Sequence, residues 1–342
     1  MSKPSLTFFC ELAAKPLAAL FADPAVIEQL AAMKAGVSLG LVDLSDERAA
    51  VVRRLNAAGV PVTAWQLLPE AQGYWYNLGN APQAIARYVD FTAWTEAHDL
   101  RWEAIGVDIE PDIREMGRLS AGEWAILPRL VRRLFDRERV ERARRLYRGL
   151  IAEMRADGYE VEAYHLPFIV DERRAGSTLL QRLFGLIDLE VDREVLMLYS
   201  SFLRPHGAGA LWTYAPAAEA IAVGSTGGGV TVGGADQVPP LGWDELARDL
   251  RLARQWSDAL YVFSLEGAIR QGYLARLRDF EWERDVMLPL ESAHKVGRVR
   301  KAGRAVLWAS AHPALILATM GAVTLAAFWL TSLFRPDRSD RE

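Results

Sequence analysis

Short apolar runs alternate with amphipathic stretches over most of the chain. The runs have the length and the Val, Ile and Leu content of buried strands, and they lie at residues 6–12, 37–44, 60–68, 105–112, 159–170, 194–202, 227–232 and 260–265. Helix signals fall between them and predict helices at 23–36, 45–59, 80–98, 120–158, 173–187, 211–223, 243–257 and 273–286. This alternation predicts an α/β fold with a parallel sheet that helices cover.

The number of strand–helix units distinguishes a closed barrel from an open parallel sheet. Eight strand–helix units within about 280 residues fit a closed (β/α)8 TIM barrel better than an open doubly wound sheet. No G-x-G-x-x-G follows the first strand, which argues against a dinucleotide-binding fold. We therefore predict a barrel domain over residues 1–286.

The C-terminal segment has a different pattern. Residues 313–334 hold 22 positions without a charged side chain, which is long enough for a helix to span a bilayer, although a buried core helix is the alternative. We predict a basic linker at 287–304, a transmembrane helix at 305–334 and a polar tail at 335–342. The lipid bilayer is then the first predicted partner of the chain.

Charge and composition suggest a location. Five Lys and Arg residues precede the uncharged run and three follow it, which favours a single-pass protein of the cell membrane with its barrel in the cytoplasm. No secretory signal is recognised at the N-terminus. Cys10 is the one cysteine, which excludes an internal disulfide. The net charge of -4 gives no indication of a nucleic-acid partner.

The fourth apolar run ends in paired acids. Asp108 and Glu110 are two residues apart, so on a strand they project from the same face. Pro111 then suits the strand end, because proline donates no hydrogen bond to a sheet. Two carboxylates at the end of a buried strand are costly unless they are paired or used.

The other strand ends supply further polar and aromatic side chains. In a TIM barrel these ends converge on one mouth, where function resides. The predicted mouth holds Glu11, Trp65, Gln66, Asp108, Glu110, Tyr164, His165, Tyr199, Ser200, Ser264 and Glu266, and an aromatic loop adds Tyr74, Trp75 and Tyr76. Acids beside aromatic rings suit a polyhydroxylated ligand, so we predict a carbohydrate site.

The same residues carry a resemblance to the chitinase-like glycoside hydrolases of family 18. That family has D-x-x-D-x-D-x-E on strand four and M-x-Y-D on strand six. Here Glu103, Gly106, Asp108 and Glu110 align with the first pattern, and Met197, Tyr199 and Ser200 with the second. Gly106 and Ser200 replace acids, and Glu103 replaces Asp. The resemblance implies a barrel in which Glu110 is the general acid, and it does not carry chitin over as the substrate.

These residues define one predicted site. Glu110, Asp108 and Glu266 are the candidate catalytic residues, with Glu266 or Glu11 as the second carboxylate of glycoside hydrolysis. Candidate substrate-binding residues are Glu11, Trp65, Gln66, Trp75, Tyr164, His165 and Tyr199. No metal or cofactor is predicted, because no two histidines have H-x-H or H-x-x-x-H spacing.

Two other functions are compatible with the sequence. The glycines around the seventh strand, including Gly233 and Gly234, are typical of a loop that binds the phosphate of a metabolite. Alternatively, the chain is a barrel without catalytic activity that binds a glycan or scaffolds partners at the membrane. Nine arginines between Arg129 and Arg148 suggest either a solvated helix face or contact with anionic lipid.

Overall fold

Eight parallel strands close into a barrel in which each strand pairs with the next and β8 pairs with β1. The structure, a computed structural model, describes residues 3–230 and 238–315. The strands are β1 Ser5–Cys10, β2 Gly36–Leu41, β3 Val62–Gln66, β4 Ala104–Ile109, β5 Glu160–His165, β6 Arg193–Met197, β7 Ala220–Gly224 and β8 Ala259–Phe263. The predicted TIM-like barrel is confirmed.

Helices surround this barrel. They are α1 Ala14–Leu20, α2 Pro24–Met33, α3 Asp46–Ala57, α4 Ala81–Ala97, α5 Ile113–Ser120, α6 Leu127–Arg133, α7 Arg137–Ala156, α8 Phe168–Arg174, α9 Leu179–Phe184, α10 Gly207–Tyr214, α11 Trp243–Arg254, α12 Leu265–Arg270, α13 Tyr273–Arg278 and α14 Leu290–Ala311. Several start where the sequence predicts: Asp23 caps α2 with Pro24 at its first position, and Ser45 caps α3.

Two apolar clusters form the core. The larger one lies between the strands and the helices, and it includes Phe8, Val37 and Leu39. The smaller one fills the inside of the barrel with Phe9, Trp65, Tyr164 and other residues. Neighbouring strand residues such as Phe8 and Phe9 belong to different clusters because alternate side chains face opposite sides of a sheet. The inner cluster forms the floor on which the site is built.

The seventh strand lies earlier in the chain than predicted. The predicted helix 211–223 holds the end of α10 and most of β7, and the predicted strand 227–232 is not a strand within the described residues. Gly227, Gly228 and Gly229 have φ values of 98°, 98° and 83°, which only glycine adopts readily. These glycines therefore form the loop after β7, and the short run of small apolar residues before them forms the strand.

Three smaller differences concern element ends. Strands β5 and β6 stop at His165 and Met197, several residues before the predicted ends. Pro167 immediately precedes α8, so the apolar residues after β5 continue as a helix. The helix α1 also precedes α2, although only α2 has a clear start signal in the sequence. These differences do not change the order of the eight strands.

The predicted linker is helical and docked on the barrel. Helix α14 runs without interruption across residue 304, the predicted boundary between linker and span. Arg300 pairs with Asp171 at 2.8 Å, and its guanidinium lies 3.5 Å from the centre of the Tyr214 ring. Most of the predicted span, residues 316–334, lies outside the described residues. Within the described part of the chain no single helix is long and apolar enough to cross a membrane, whereas the bent pair of α1 and α2 passes by length and composition.

Candidate active site

A cleft of about 760 Å³ opens at the carboxyl ends of the strands. Its polar lining includes Glu11, Asp108, Glu110, Tyr164 and Tyr199. Aromatic side chains from several strands and loops form its walls: Phe9, Trp65, Trp75, Phe168, Phe202, Tyr214 and Phe263. The structure thus brings together seven of the ten predicted site residues: Glu11, Trp65, Trp75, Asp108, Glu110, Tyr164 and Tyr199.

Asp108 and Glu110 both face this cleft from the end of β4. The indole Nε1 of Trp65 donates a hydrogen bond of 3.1 Å to Asp108 Oδ2. Oδ1 of the same carboxyl is buried and has no partner among the described residues. Burial, and then the charges of Glu110 and Glu11, raise the pKa of Asp108 well above its usual range. Burial and then the charge of Glu11 raise the pKa of Glu110 to about 8. Glu110 therefore carries a proton at neutral pH.

Glu11 is the third acid of the cleft and it fixes two loops. The hydroxyl of Tyr74 donates to its Oε1 at 2.7 Å, and the backbone N–H of Val230 donates to its Oε2 at 2.9 Å. Burial raises the pKa of Glu11 to about 7, although both hydrogen bonds act in the opposite direction. Glu11 is thus held by the loops that follow β3 and β7. With this pKa the carboxyl group changes between its neutral and its ionised form near neutral pH.

Glu266 does not line the cleft. It lies in the first turn of α12, and the N–H of Gly229 donates to its Oε1 at 3.2 Å. A Cβ built on Gly228 would clash with the same carboxyl group, so the glycine loop lies directly against it. Ser264, which the sequence also places at the mouth, caps this helix by accepting from the N–H of Gly267. Glu266 therefore supports the glycine loop, and of the two candidates for the second catalytic carboxylate only Glu11 lines the cleft.

Gln66 and His165 also do not line the cleft. Each directly follows a residue that faces the barrel interior, Trp65 and Tyr164, so its own side chain points to the opposite face of the sheet. Gln66 is fully buried, and neither polar atom of its side chain has a partner among the described residues. His165 shares a hydrogen bond of 2.8 Å between its Nδ1 and Glu194 Oε1.

His165 belongs to a charged cluster outside the barrel. Its ligand atoms and those of Asp188 and Glu194 lie within 4.8 Å of one another, close enough for a metal ion. Arg173, however, pairs with Asp188 at 2.6 Å and with Glu194 at 2.7 Å. The guanidinium therefore already supplies the positive charge that these two carboxylates need.

The barrel floor explains the glycine at position 106. A Cβ on Gly106 would lie 2.7 Å from Cζ of Tyr164, far inside the contact distance. The Tyr164 hydroxyl is 2.7 Å from Ser38 Oγ and 3.3 Å from Glu162 Oε2, and Tyr261 donates to Oε1 of Glu162 at 2.7 Å. Tyr164 therefore occupies the space where the family 18 pattern places an acid on strand four.

Ser200 is the second residue that stands where the family 18 pattern has an acid. Ser200 is buried, and its hydroxyl donates to Asp249 on α11, so it faces the helix layer. Met197 and Tyr199, the other two residues of that pattern, line the cleft. Neither Gly106 nor Ser200, the two positions where the family pattern has an acid and this chain does not, therefore places an acid in the cleft.

Several residues of the cleft were not anticipated from the sequence. Phe9 and Phe263 lie on β1 and β8 and face inward, and Phe168, Phe202 and Tyr214 come from the helical segments after β5 and β6. Alternation along β1 and β8 was a signal that could have identified the first two. The last three depend on where long connections fold, which no local pattern specifies.

Comparisons with known proteins agree with the barrel. No protein-family model and no curated protein matches the sequence. Among solved structures, the glycoside hydrolase domain of PgaB (BpsB) from Bordetella bronchiseptica matches with a TM-score of 0.51 and 10% identity, over 83% of this chain and 100% of that chain. A family 18 chitinase from Pseudoalteromonas aurantia gives 0.46 and 10%, over 81% and 100%. D-Psicose 3-epimerase from Clostridium cellulolyticum H10 gives 0.39 and 13%, over 89% and 99%.

At these identities the likeness concerns the fold. The chain is similar in fold to the glycoside hydrolase domain of PgaB. The class that fold and site define together is a TIM-like barrel with a carboxylate-lined, aromatic-walled cleft at the ends of its strands.

Proposed function

We propose that the protein is a glycoside hydrolase-like enzyme that acts on a glycan or sugar conjugate by carboxylate acid/base catalysis. The observation that carries the proposal is the group of three acids, Glu11, Asp108 and Glu110, in one aromatic-walled cleft. Burial raises the pKa of all three above the usual range. Two carboxyl groups with pKa values near neutrality, such as Glu11 and Glu110, are what acid/base catalysis at neutral pH needs.

Glu110 is the proposed general acid. With a pKa of about 8 it is protonated at pH 7, and it gives this proton to the glycosidic oxygen as the bond to the sugar breaks. The charge of Glu11, after burial, keeps the pKa of Glu110 raised before a substrate enters. Asp108 lies beside Glu110, and its Oδ2 accepts a hydrogen bond from Trp65.

Glu11 is the proposed second carboxylate. Its two hydrogen bonds orient it, and its pKa of about 7 leaves a large share ionised at neutral pH. It acts as nucleophile or as base toward water. The substrate-assisted chemistry of family 18 is not part of the proposal, because Gly106 and Ser200 replace acids that position the acetamido group.

A screen of glycans tests this proposal. The full chain is incubated with polysaccharides and aryl glycosides of varied sugar and linkage, and released reducing ends are measured against an Asp108→Asn variant. We expect release by the wild type and at least a hundredfold less by the variant. Equal release by both proteins, at the level of the buffer, would remove the hydrolase function and favour a barrel that only binds its ligand.

We also propose that the protein is attached to the bilayer by its C-terminal segment, as a single-pass protein of the cell membrane. An exposed apolar row supports this. Trp124, Leu127, Val131 and Phe135 are 65, 42, 52 and 83% exposed. Leu127 and Val131 are four residues apart on α6, and Trp124 and Phe135 lie in the turns that precede and follow it. Helix α6 packs against α9, which also contacts α14, the helix that leads into the uncharged run. Arg129 and Arg132 on α6 add positive charge suited to anionic lipid.

A site-specific label tests this attachment. Cys10 is fully buried, so a cysteine introduced by Phe135→Cys is the accessible thiol for an environment-sensitive fluorophore. We expect a blue shift of its emission when the full chain moves from detergent into nanodiscs that contain phosphatidylglycerol. Val89→Cys on α4, exposed by 56%, is the matched control and should not shift. Identical spectra for the label at 135 in detergent and in nanodiscs would contradict contact of this row with lipid.

A further inference from the structure

A second cavity lies beside the active-site cleft and it is lined by arginines. It encloses about 460 Å³, and Arg114, Arg129, Arg133 and Arg139 contribute to its wall. Two carboxylates, Asp112 and Glu115, also line it. The cavity shares two segments with the cleft: the loop that carries Trp75 supplies Asn77 and Asn80, and Asp112 follows Glu110 by two residues.

Two of the four arginines are neutralised. Arg133 binds both oxygens of Glu115, with Nη1 2.7 Å from Oε2. Arg114 binds Asp112, with Nε 2.9 Å from Oδ1. Both contacts have the two-pronged geometry in which guanidinium recognises carboxylate. These pairs use up the two acids of the cavity wall, so they leave no carboxylate there for the other two arginines.

Arg139 is the arginine whose environment is unusual. Its guanidinium lies against Gly79, where a Cβ would be 3.2 Å from Nη2, and the side chain is partly buried. In the described part of the chain its side chain has no hydrogen bond or ion pair, whereas its backbone N–H donates to Asp136 at the start of α7. Burial, and then the charge of Arg133, lower the pKa of Arg139. A partly buried cation without a partner is costly unless an anion completes its surroundings.

We infer that this cavity binds a phosphate group, with Arg139 and Arg129 as the arginines that hold it. Guanidinium groups bind phosphate through paired N–H donors. The surplus of two positive charges over the two paired acids matches the charge of a phosphate monoester near neutral pH. Amides line the remaining wall through Asn77, Asn80 and Gln83 and suit the hydroxylated part of such a ligand.

The position of the cavity suggests what carries this phosphate. The loop after β3 and the segment after β4 line both the cleft and the phosphate site. A saccharide that occupies the cleft at Trp75 and Glu110 therefore lies next to the phosphate site. We therefore assign the phosphate to the substrate or to its carrier, as in a soluble sugar phosphate or a lipid that carries a phosphate monoester. This last step rests on the proposed hydrolase function, whereas the phosphate site itself does not.

Titration of the full chain in detergent with inorganic phosphate tests the site. We expect saturable binding, which weakens at least tenfold in Arg139→Gln and in Arg129→Gln, since a hydrogen-bonded charge pair contributes that much. Arg148→Gln is the matched control: it removes the same charge from an exposed position on α7 and should leave the affinity unchanged. Equal weakening by all three substitutions, or no saturable binding by the wild type, would overturn the site.

Two further measurements make the result specific. In the absence of phosphate, Arg139→Gln should melt at the wild-type temperature or above it, because the substitution removes a partly buried, unpaired charge. A lower melting temperature would instead assign Arg139 a structural role and overturn the inference.

Binding of glucose 1-phosphate and binding of nanodiscs that contain phosphatidic acid distinguish a soluble from a lipid source of the phosphate. Arg139→Gln should weaken the binding of whichever ligand the wild type binds. Phosphate binding that persists while no glycan is hydrolysed would reject the proposed hydrolase function and leave the phosphate site standing.

Discussion

Substitution of Glu110 by Gln is expected to lower the rate of glycoside hydrolysis by about 10³-fold, in the range that loss of a general acid costs. Glutamine preserves the size of the side chain and its place on β4, but it cannot supply the proton that the leaving oxygen needs. The measurement is the initial rate of reducing-end release by wild type and variant on a glycan that the wild type hydrolyses.

Glu103→Gln is the matched control for this substitution. Glu103 is exposed just before β4, so the change removes one carboxylate next to the same strand without reaching the cleft. We expect wild-type rates from it. An activated aryl glycoside, whose leaving group departs without a proton, should recover much of the lost rate in Glu110→Gln. Unchanged hydrolysis by that variant on an unactivated glycan would exclude Glu110 from the acid role.

The pH profile gives the same assignment an independent readout. A general acid works in its protonated form, so the wild-type rate should fall as pH rises through about 8, the pKa of Glu110. A base works in its ionised form, so the rate should rise as pH approaches about 7, the pKa of Glu11. The expected profile is a bell with its maximum between these values. In Glu110→Gln the alkaline limb should disappear while the acidic limb remains.

Much of this site was accessible from sequence because it depends on strand periodicity. Seven of the eight apolar runs contain strands, and the two-residue spacing of Asp108 and Glu110 puts both on one face whatever the surrounding helices do. Glu11, Trp65 and Tyr199 reach the cleft for the same reason. The barrel then gathers side chains that are far apart in the chain, such as Tyr74 and Glu11, whose hydrogen bond joins positions 63 residues apart.

The errors arose where one residue of register or one turn decides the outcome. Gln66 and His165 directly follow residues that face the barrel interior. The sequence does not show which of two neighbouring strand residues faces inward, so both were predicted on the wrong face. Glu266 was assigned to a strand end, but the chain had already turned into α12. The valines near the glycines after β7 predict a strand, whereas left-handed φ values at Gly227, Gly228 and Gly229 require a loop. Burial, which raises the three pKa values, is a property of the whole barrel and leaves no local sequence signal.

The second large effect is expected at the barrel floor, where Gly106→Ala should destabilise the protein by about 3 kcal/mol or more. The new methyl group would lie 2.7 Å from Cζ and 2.9 Å from Cε2 of Tyr164. The ring has little freedom to retreat, because its hydroxyl is bonded to Ser38 and its faces contact Phe9 and Trp65. Overpacking of a close-packed interior costs about 1–3 kcal/mol and sometimes more. The free energy of unfolding in urea measures the effect.

Gly149→Ala on α7 is the control, because nothing lies within 4 Å of a Cβ there and alanine favours a helix. It should leave the protein as stable as the wild type or up to about 1 kcal/mol more stable.

Tyr164→Leu should itself lower the stability through the lost ring. Gly106→Ala in that background should lower it much less than in the wild type, since the two positions are in contact. Equal costs of Gly106→Ala in both backgrounds would show that Tyr164 does not occupy this space. Gly106→Asp, which introduces an acid at this position, should destabilise at least as strongly as alanine, because the space for that carboxylate is filled by Tyr164.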